Sequence, residues 1–361
     1  MADEYWTLRY SPQRQPPTPL AMRTPLAKAW KEEPKGPVLA GVLHAGDGGV
    51  FSNLGSGKVR RLSLATGEVA WTAAFGAGAL VRKSGELLAC DNTTLRMLGL
   101  ADGVLHREQP HNLGLGDSFI SDSYFVGAVP EHLHVLAVDG FEVLWKRAGS
   151  FHLRYAADDQ VVVAWDESVA CHDLRTGRVL WERSEAELGG ATALGCIWEG
   201  RFVHCLGAQL TALDLGSGQT LWRWPLPGGI HWWHPYDGRG YVFIHPGRYI
   251  VVDLATGKQL FQKDLGPHVP VPLKKRKGGL RVVSGSRQAP SWQYVRLSVS
   301  ETHAFVVNAS GQILVLARDT GELDQVLELD GMPMMMEPII YGNHLLISDF
   351  EAAIYCFKGA E

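Results

Sequence analysis

This 361-residue sequence predicts an all-β fold, an eight-bladed β-propeller of four-stranded antiparallel blades, from three observations. A glycine-centred hairpin frame recurs at near-constant spacing. An aromatic residue follows most copies at nearly the same offset. Each end of the chain lacks the strands that the other end supplies.

The frame reads VRRLSLATGEVAW at Gly67, LRMLGLADGVLHR at Gly103, LHVLAVDGFEVLW at Gly140 and VACHDLRTGRVLW at Gly177. It continues as LTALDLGSGQTLW at Gly218, YIVVDLATGKQLF at Gly257 and ILVLARDTGELDQ at Gly321. The steps between these glycines are 36, 37, 37, 41, 39 and 64 residues, which is the period of a repeat architecture. Before each glycine, apolar residues alternate over about six positions, as a strand requires. The Asp/Thr/Ser-Gly pair makes the turn, because the polar side chain bonds local backbone and glycine accepts a positive φ. A second strand follows and carries Trp71, Trp145, Trp181, Trp222 or Phe261 four or five positions on. Upstream lie further strands such as GVFSNL, VVVAWD and RFVHCL, each preceded by a shorter apolar segment, so one unit holds about four strands, the size of a propeller blade.

The ends fix the count. The C-terminal HLLISDFEAAIYCFKG supplies middle strands and stops at Gly359 without an outer strand, whereas PLAKAWKEE near the N-terminus is an outer strand with Trp30 and no hairpin partner. Pairing the N-terminal strand with the C-terminal strands closes the ring and removes unpaired backbone edges. Seven blades is the alternative if the units at Gly103 or Gly321 are not blades. In those two units the aromatic slot holds Arg107 and Gln325, so their inter-blade contacts are expected to be the loosest. The long last step places an insertion at about 267–292. Residues 1–25 form a Pro-rich N-terminal extension and 26–361 the propeller.

Composition excludes several functions. A net charge of −4 and a pI near 6.4 provide no basic field for nucleic acid. No apolar run is long enough to span a bilayer, and the first residues lack the pattern of a secretory signal. The cysteines at 90, 171, 196, 205 and 356 are odd in number and scattered, without metal-ligand spacing. A cytoplasmic protein with reduced thiols is expected.

The frame D-x-x-T/S-G-x-x-L-W, carried by HDLRTGRVLW, LDLGSGQTLW and VDLATGKQLF, resembles the PQQ-like propeller repeat, the tryptophan-docking motif of quinoprotein alcohol dehydrogenases. The resemblance runs from about residue 26 to 359. It implies that each outer-strand tryptophan packs on a neighbouring blade, where its indole N–H must find an acceptor. It implies little about activity, since the family holds quinone-dependent dehydrogenases and also a cofactor-free scaffold lipoprotein of outer-membrane barrel assembly. The dehydrogenases carry adjacent cysteines over the quinone and a calcium ion. This sequence has no Cys-Cys pair and no calcium constellation, so no cofactor is expected and quinone-dependent catalysis is disfavoured.

Local motifs reduce to turns on inspection. NLGSGKV at 53–59 has Ser52 and Val59 where a phosphate loop needs glycine and a hydroxyl residue. GLGDSF at 114–119 has Phe119 in place of a third glycine. In HWWHPYDG at 231–238, His231 and His234 sit three apart and point to opposite faces of a strand, against a metal site. His132 and His134 share a face but lack a third ligand.

What remains is geometric. Innermost strands line the axial channel of a propeller. Aligned on HWWHPYDG, those segments offer Arg82, Asp117, Arg154, His234, Arg296 and Glu337 at the channel mouth, with Trp232 and Trp233 beside them. Their mixed charge suits a self-satisfying polar plug better than a ligand site. The run Lys274, Lys275, Arg276 and Lys277 in the insertion is a candidate loop for an acidic partner, against the plainer reading of a solvated tip. The expected function is a non-catalytic scaffold for protein partners. The alternative is a small-molecule sensor or enzyme that uses the channel mouth.

Overall fold

The computed structural model describes residues 22–360 apart from 34–42, 75–79, 112–118, 189–193, 266–294 and shorter breaks of one to three residues between strands. Eight four-stranded antiparallel sheets make up the fold, and within each the strands pair in chain order from the inside outward. Blades 1 to 7 span 43–74, 80–110, 119–148, 151–184, 194–225, 230–264 and 296–328. Blade 8 takes its three inner strands from 339–359 and its outer strand, Leu26–Glu32, from the start of the chain. The eight-bladed reading and the closure by the two termini are both present. The innermost strands of successive blades approach one another around the axis.

Two middle strands of a blade are buried on both faces, not alternately. Tyr249, Ile250, Val251 and Val252 are all buried, as are Val161, Val162 and Val163. The reason is that each sheet is packed between two neighbouring sheets, so both faces exclude water and the sequence reads as a continuous apolar run. Alternation survives on the outer strands, where every second side chain faces solvent, as in Thr220–Pro225.

The turns are built as expected. Asp173 Oδ1 accepts from the Thr176 amide at 2.7 Å and its hydroxyl at 2.6 Å, and Asp214 with Ser217 and Asp253 with Thr256 repeat the device. The Gly57 turn likewise joins strands Gly49–Leu54 and Lys58–Ser63, with no helix after it.

The tryptophans lock blade to blade. Trp30, Trp71, Trp145, Trp181 and Trp222 donate their indole N–H to the carbonyls of Leu64, Leu100, Leu174, Leu215 and Leu254 in the next blade, at 2.7–3.1 Å. The indole lies flat on the turn glycine of that blade, and a β-carbon on Gly67, Gly103, Gly177, Gly218 or Gly257 would stand 2.6–2.7 Å from the ring.

Three junctions depart from this pattern, and each is filled by other chemistry. Between blades 2 and 3 the turn position belongs to Phe141, with φ of 54°, and not to Gly140, which stands one residue earlier. Arg107, in the tryptophan slot, stacks its guanidinium 5.6 Å from the Phe141 ring centroid and donates to the Asp139 carbonyl. Between blades 6 and 7 Phe261 has no N–H to offer, and Tyr249 donates its hydroxyl to the Arg318 carbonyl at 3.0 Å instead. Between blades 7 and 8 Gln325 clamps the N-terminal strand, accepting from the Leu26 amide at 2.7 Å and donating to the Leu26 carbonyl at 2.8 Å. The slots expected to be loosest are therefore occupied by polar locks. The 41-residue step from Gly177 to Gly218 is longer than its neighbours because a turn of helix, Glu185–Leu188, separates blades 4 and 5.

Buried histidines give the fold a pH dependence. His204 is wholly buried, stacked 5.2 Å from the Phe202 ring, and burial together with Arg223 pushes its pKa down to about 3. It stays neutral when folded and takes up a proton once unfolded, so the unfolded state binds more protons between pH 6.5 and about 3. Stability is full above that window and falls as the pH drops through it. Taking wild type from pH 7 to 5.5 is expected to cost about 1 kcal/mol through this residue alone. Urea unfolding of wild type and His204→Leu at both pH values measures the difference, and an equal loss in the variant would assign the slope elsewhere.

Candidate functional site

Two inner-strand side chains, Trp232 and Arg296, and Glu337, two residues ahead of the inner strand of blade 8, come together near the axis. Trp232, Arg296 and Glu337 each stand seven residues before the second strand of their blade, which begins at Arg239, His303 and His344. They are equivalent positions in blades 6, 7 and 8. The Trp232 indole N–H donates to Glu337 Oε1 at 2.6 Å, spanning blade 7 to reach blade 8. The Arg296 guanidinium lies on the indole face, 4.1 Å from the ring centroid, and its Nη1 donates to the Val295 carbonyl at 2.9 Å. Such stacking favours a cation over the negative face of the ring.

His234 lies on the same strand face as Trp232, two residues on. It is fully buried, and its Nδ1 is 3.9 Å from Glu337 Oε1. Neither ring nitrogen has a hydrogen-bond partner among the described residues. A buried imidazole left this way costs free energy, and such a group in a native fold asks for an explanation. Glu337 itself keeps only 10% of its side chain exposed.

The other expected mouth residues do not join this group. Trp233 points to the opposite face of the strand; both tryptophans belong to one buried cluster, Trp233 with no exposed surface and Trp232 with 7%. Arg154 and Arg82 lie on inner strands, but six and four residues before the following strand, so they are out of register with the Trp232 level. Asp117 stands at the equivalent position by sequence and lies outside the described residues, as do Lys274, Lys275, Arg276 and Lys277. The insertion expected at about 267–292 lies outside the described residues as well. What sequence reading missed was the level: counting back from the next strand separates Arg296 and Glu337 from Arg82 and Arg154, whereas charge alone does not.

Eight four-stranded blades, with an outer-strand tryptophan docked on a turn glycine at five of the junctions, make an eight-bladed β-propeller built on a PQQ-like repeat. The family model described as outer membrane protein assembly factor BamB matches residues 206–360. Among solved structures the chain is similar to BamB from Moraxella catarrhalis, at 13% identity and a TM-score of 0.66, over 93% of this chain and 98% of that one. It is also similar to Sqt1 from Saccharomyces cerevisiae, at 12% identity and a TM-score of 0.66, over 94% of this chain and 100% of that one. A europium-containing methanol dehydrogenase matches at 9% identity and a TM-score of 0.64, over 92% of this chain and 93% of that one. These likenesses establish the fold. Comparison with curated proteins returns no match.

The mouth does not fit a quinone with its metal. The indole face on which a planar ring would stack carries Arg296, and the adjoining acid is a single carboxylate already engaged by the indole N–H. Among the described residues no three His, Cys, Asp or Glu side chains gather to hold a metal ion. Cys171, Cys196, Cys205 and Cys356 are buried, and burial raises the thiols of Cys171, Cys205 and Cys356 to about 12, which leaves them inert. No helix among the described residues is long and apolar enough to cross a membrane.

Proposed function

We propose that this propeller is a non-catalytic scaffold that binds protein partners on its rim and faces. The observation that carries the reading is a row of solvent-exposed aliphatic side chains around the circumference. Val69, Leu105, Val143, Val179, Leu221, Leu260 and Leu323, one from each of blades 1 to 7, are 40–52% exposed. All lie two or three residues after the turn, on the outer strand. Exposed apolar side chains that recur at two adjacent positions of the outermost strand suit burial against another protein. The description of the matching family as an assembly factor supports the same reading. The scattered, buried cysteines support a reducing compartment, and we place the protein in the cytoplasm.

Photo-crosslinking tests this directly. A benzophenone amino acid at Leu221 or Leu260 is expected to give a discrete adduct with a partner protein in cells. The charge substitutions Leu221→Glu and Leu260→Glu together should remove that adduct without shifting the melting temperature by more than a degree or two, as for surface changes generally. Absence of a discrete adduct from every row position would overturn the reading.

A further inference from the structure

We propose that the axial mouth formed by Trp232, His234 and Glu337 is a receptor for one arginine side chain of a protein partner, and that Arg296 is its internal stand-in. The inference rests on the scaffold reading and names the chemistry of one contact.

Three features of the mouth select a cation rich in N–H donors. The Trp232 indole offers an electron-rich face, and a guanidinium already occupies it at 4.1 Å. Glu337 brings a carboxylate to the edge of that ring, 2.6 Å from the indole nitrogen. His234, fully buried and facing Glu337 at 3.9 Å, has a ring nitrogen with no donor supplied to it among the described residues. A planar guanidinium meets all of these together: it stacks on the ring and directs separate N–H groups at carboxylate and imidazole. An ammonium ion lacks the plane, and an uncharged urea lacks the attraction to Glu337.

Arg296 is held from its own blade. It covers the indole, but its backbone belongs to blade 7, and one of its N–H groups is turned back to the Val295 carbonyl. His234 is left without a partner. A guanidinium entering along the axis is not tied to blade 7 and can approach both acceptors. Arg296 must then swing off the ring, so the internal arginine sets a threshold that only a well-presented partner side chain exceeds.

The test is titration of the full chain with the blocked tripeptide acetyl-Gly-Arg-Gly-amide, followed by Trp fluorescence and calorimetry. Wild type, Arg296→Ala and the double variant Arg296→Ala with Glu337→Gln are compared, with the citrulline and lysine peptides as controls. Removing Arg296 is expected to tighten arginine-peptide binding at least tenfold. Adding Glu337→Gln should reverse that gain, and the citrulline peptide should bind no variant. Circular dichroism melts establish that each variant is folded, and Arg296→Lys, which keeps the charge without the plane, should fall between wild type and Arg296→Ala. Equal affinity in wild type and Arg296→Ala, or equal binding of the citrulline peptide, would overturn the receptor. A crosslinked rim partner whose affinity ignores all of these variants would also overturn it while leaving the scaffold standing. Peptide binding without any rim adduct would do the reverse.

Discussion

Gly218→Ala is expected to destabilise the protein by about 3–5 kcal/mol, far more than a methyl group in a surface turn should cost. Gly218 has φ of +69°, and an added β-carbon would lie 2.6 Å from Trp181 Cδ2. The left-handed backbone alone costs an alanine roughly 1–2 kcal/mol. The larger part comes from the indole, which must lift off the turn. Trp181 is buried and loses its 2.7 Å bond to the Leu215 carbonyl, while Arg183 loses its 2.9 Å bond to the Gly218 carbonyl. Gly200 supplies the control: its φ is +70°, yet nothing lies within 4 Å of an added β-carbon. Gly200→Ala should therefore show the backbone cost only. Urea unfolding of the two variants measures the difference, and equal losses would mean that the tryptophan contact adds nothing to the junction.

Removal of residues 1–33 is expected to abolish cooperative folding. The strand Leu26–Glu32 pairs along its length with Ile354–Gly359, and it is tied to blade 7 through its backbone and to blade 1 through its side chains. Gln325 holds both backbone groups of Leu26, Asn343 Oδ1 accepts from the Arg23 amide at 3.1 Å, and Thr302 donates to the Met22 carbonyl at 3.0 Å. Trp30 docks on blade 1, where Glu32 pairs with Arg60, a guanidinium only 4% exposed. Removing one member of a buried ion pair costs about 3–5 kcal/mol, a large share of the roughly 5–15 kcal/mol that holds a typical domain together. The truncated chain should melt without a cooperative transition, and a synthetic peptide of residues 22–33 should restore one. Gln325→Leu in the full chain leaves both Leu26 groups unbonded and should cost about 1–3 kcal/mol. A truncated chain that melts as sharply as wild type would show that the ring does not depend on its closing strand.

Most of the architecture is legible in the sequence because a propeller repeats its instructions. The turn needs a residue that accepts positive φ, the next strand needs an indole at a fixed offset, and both recur often enough to be counted. Reading failed where a rule was met by another residue. Phe141 takes the left-handed position beside Gly140, and the signal was the distance to Trp145: four residues, as from Gly177 to Trp181. Likewise Arg107 and Gln325 looked like missing contacts, because a sequence shows the absence of tryptophan and not the new bond that replaces it.

The sequence alone determined the period, the eight blades and the closing strand, since these follow from hairpin spacing and from the need to leave no sheet edge unpaired. Only the tertiary structure decided which side chains meet at the axis. Trp232 and Glu337 are separated by more than a hundred residues, and they touch because two successive blade rotations bring equivalent strand positions to one rim. The angle between blades and the level along each inner strand set that contact, and neither is written in any local stretch of the chain.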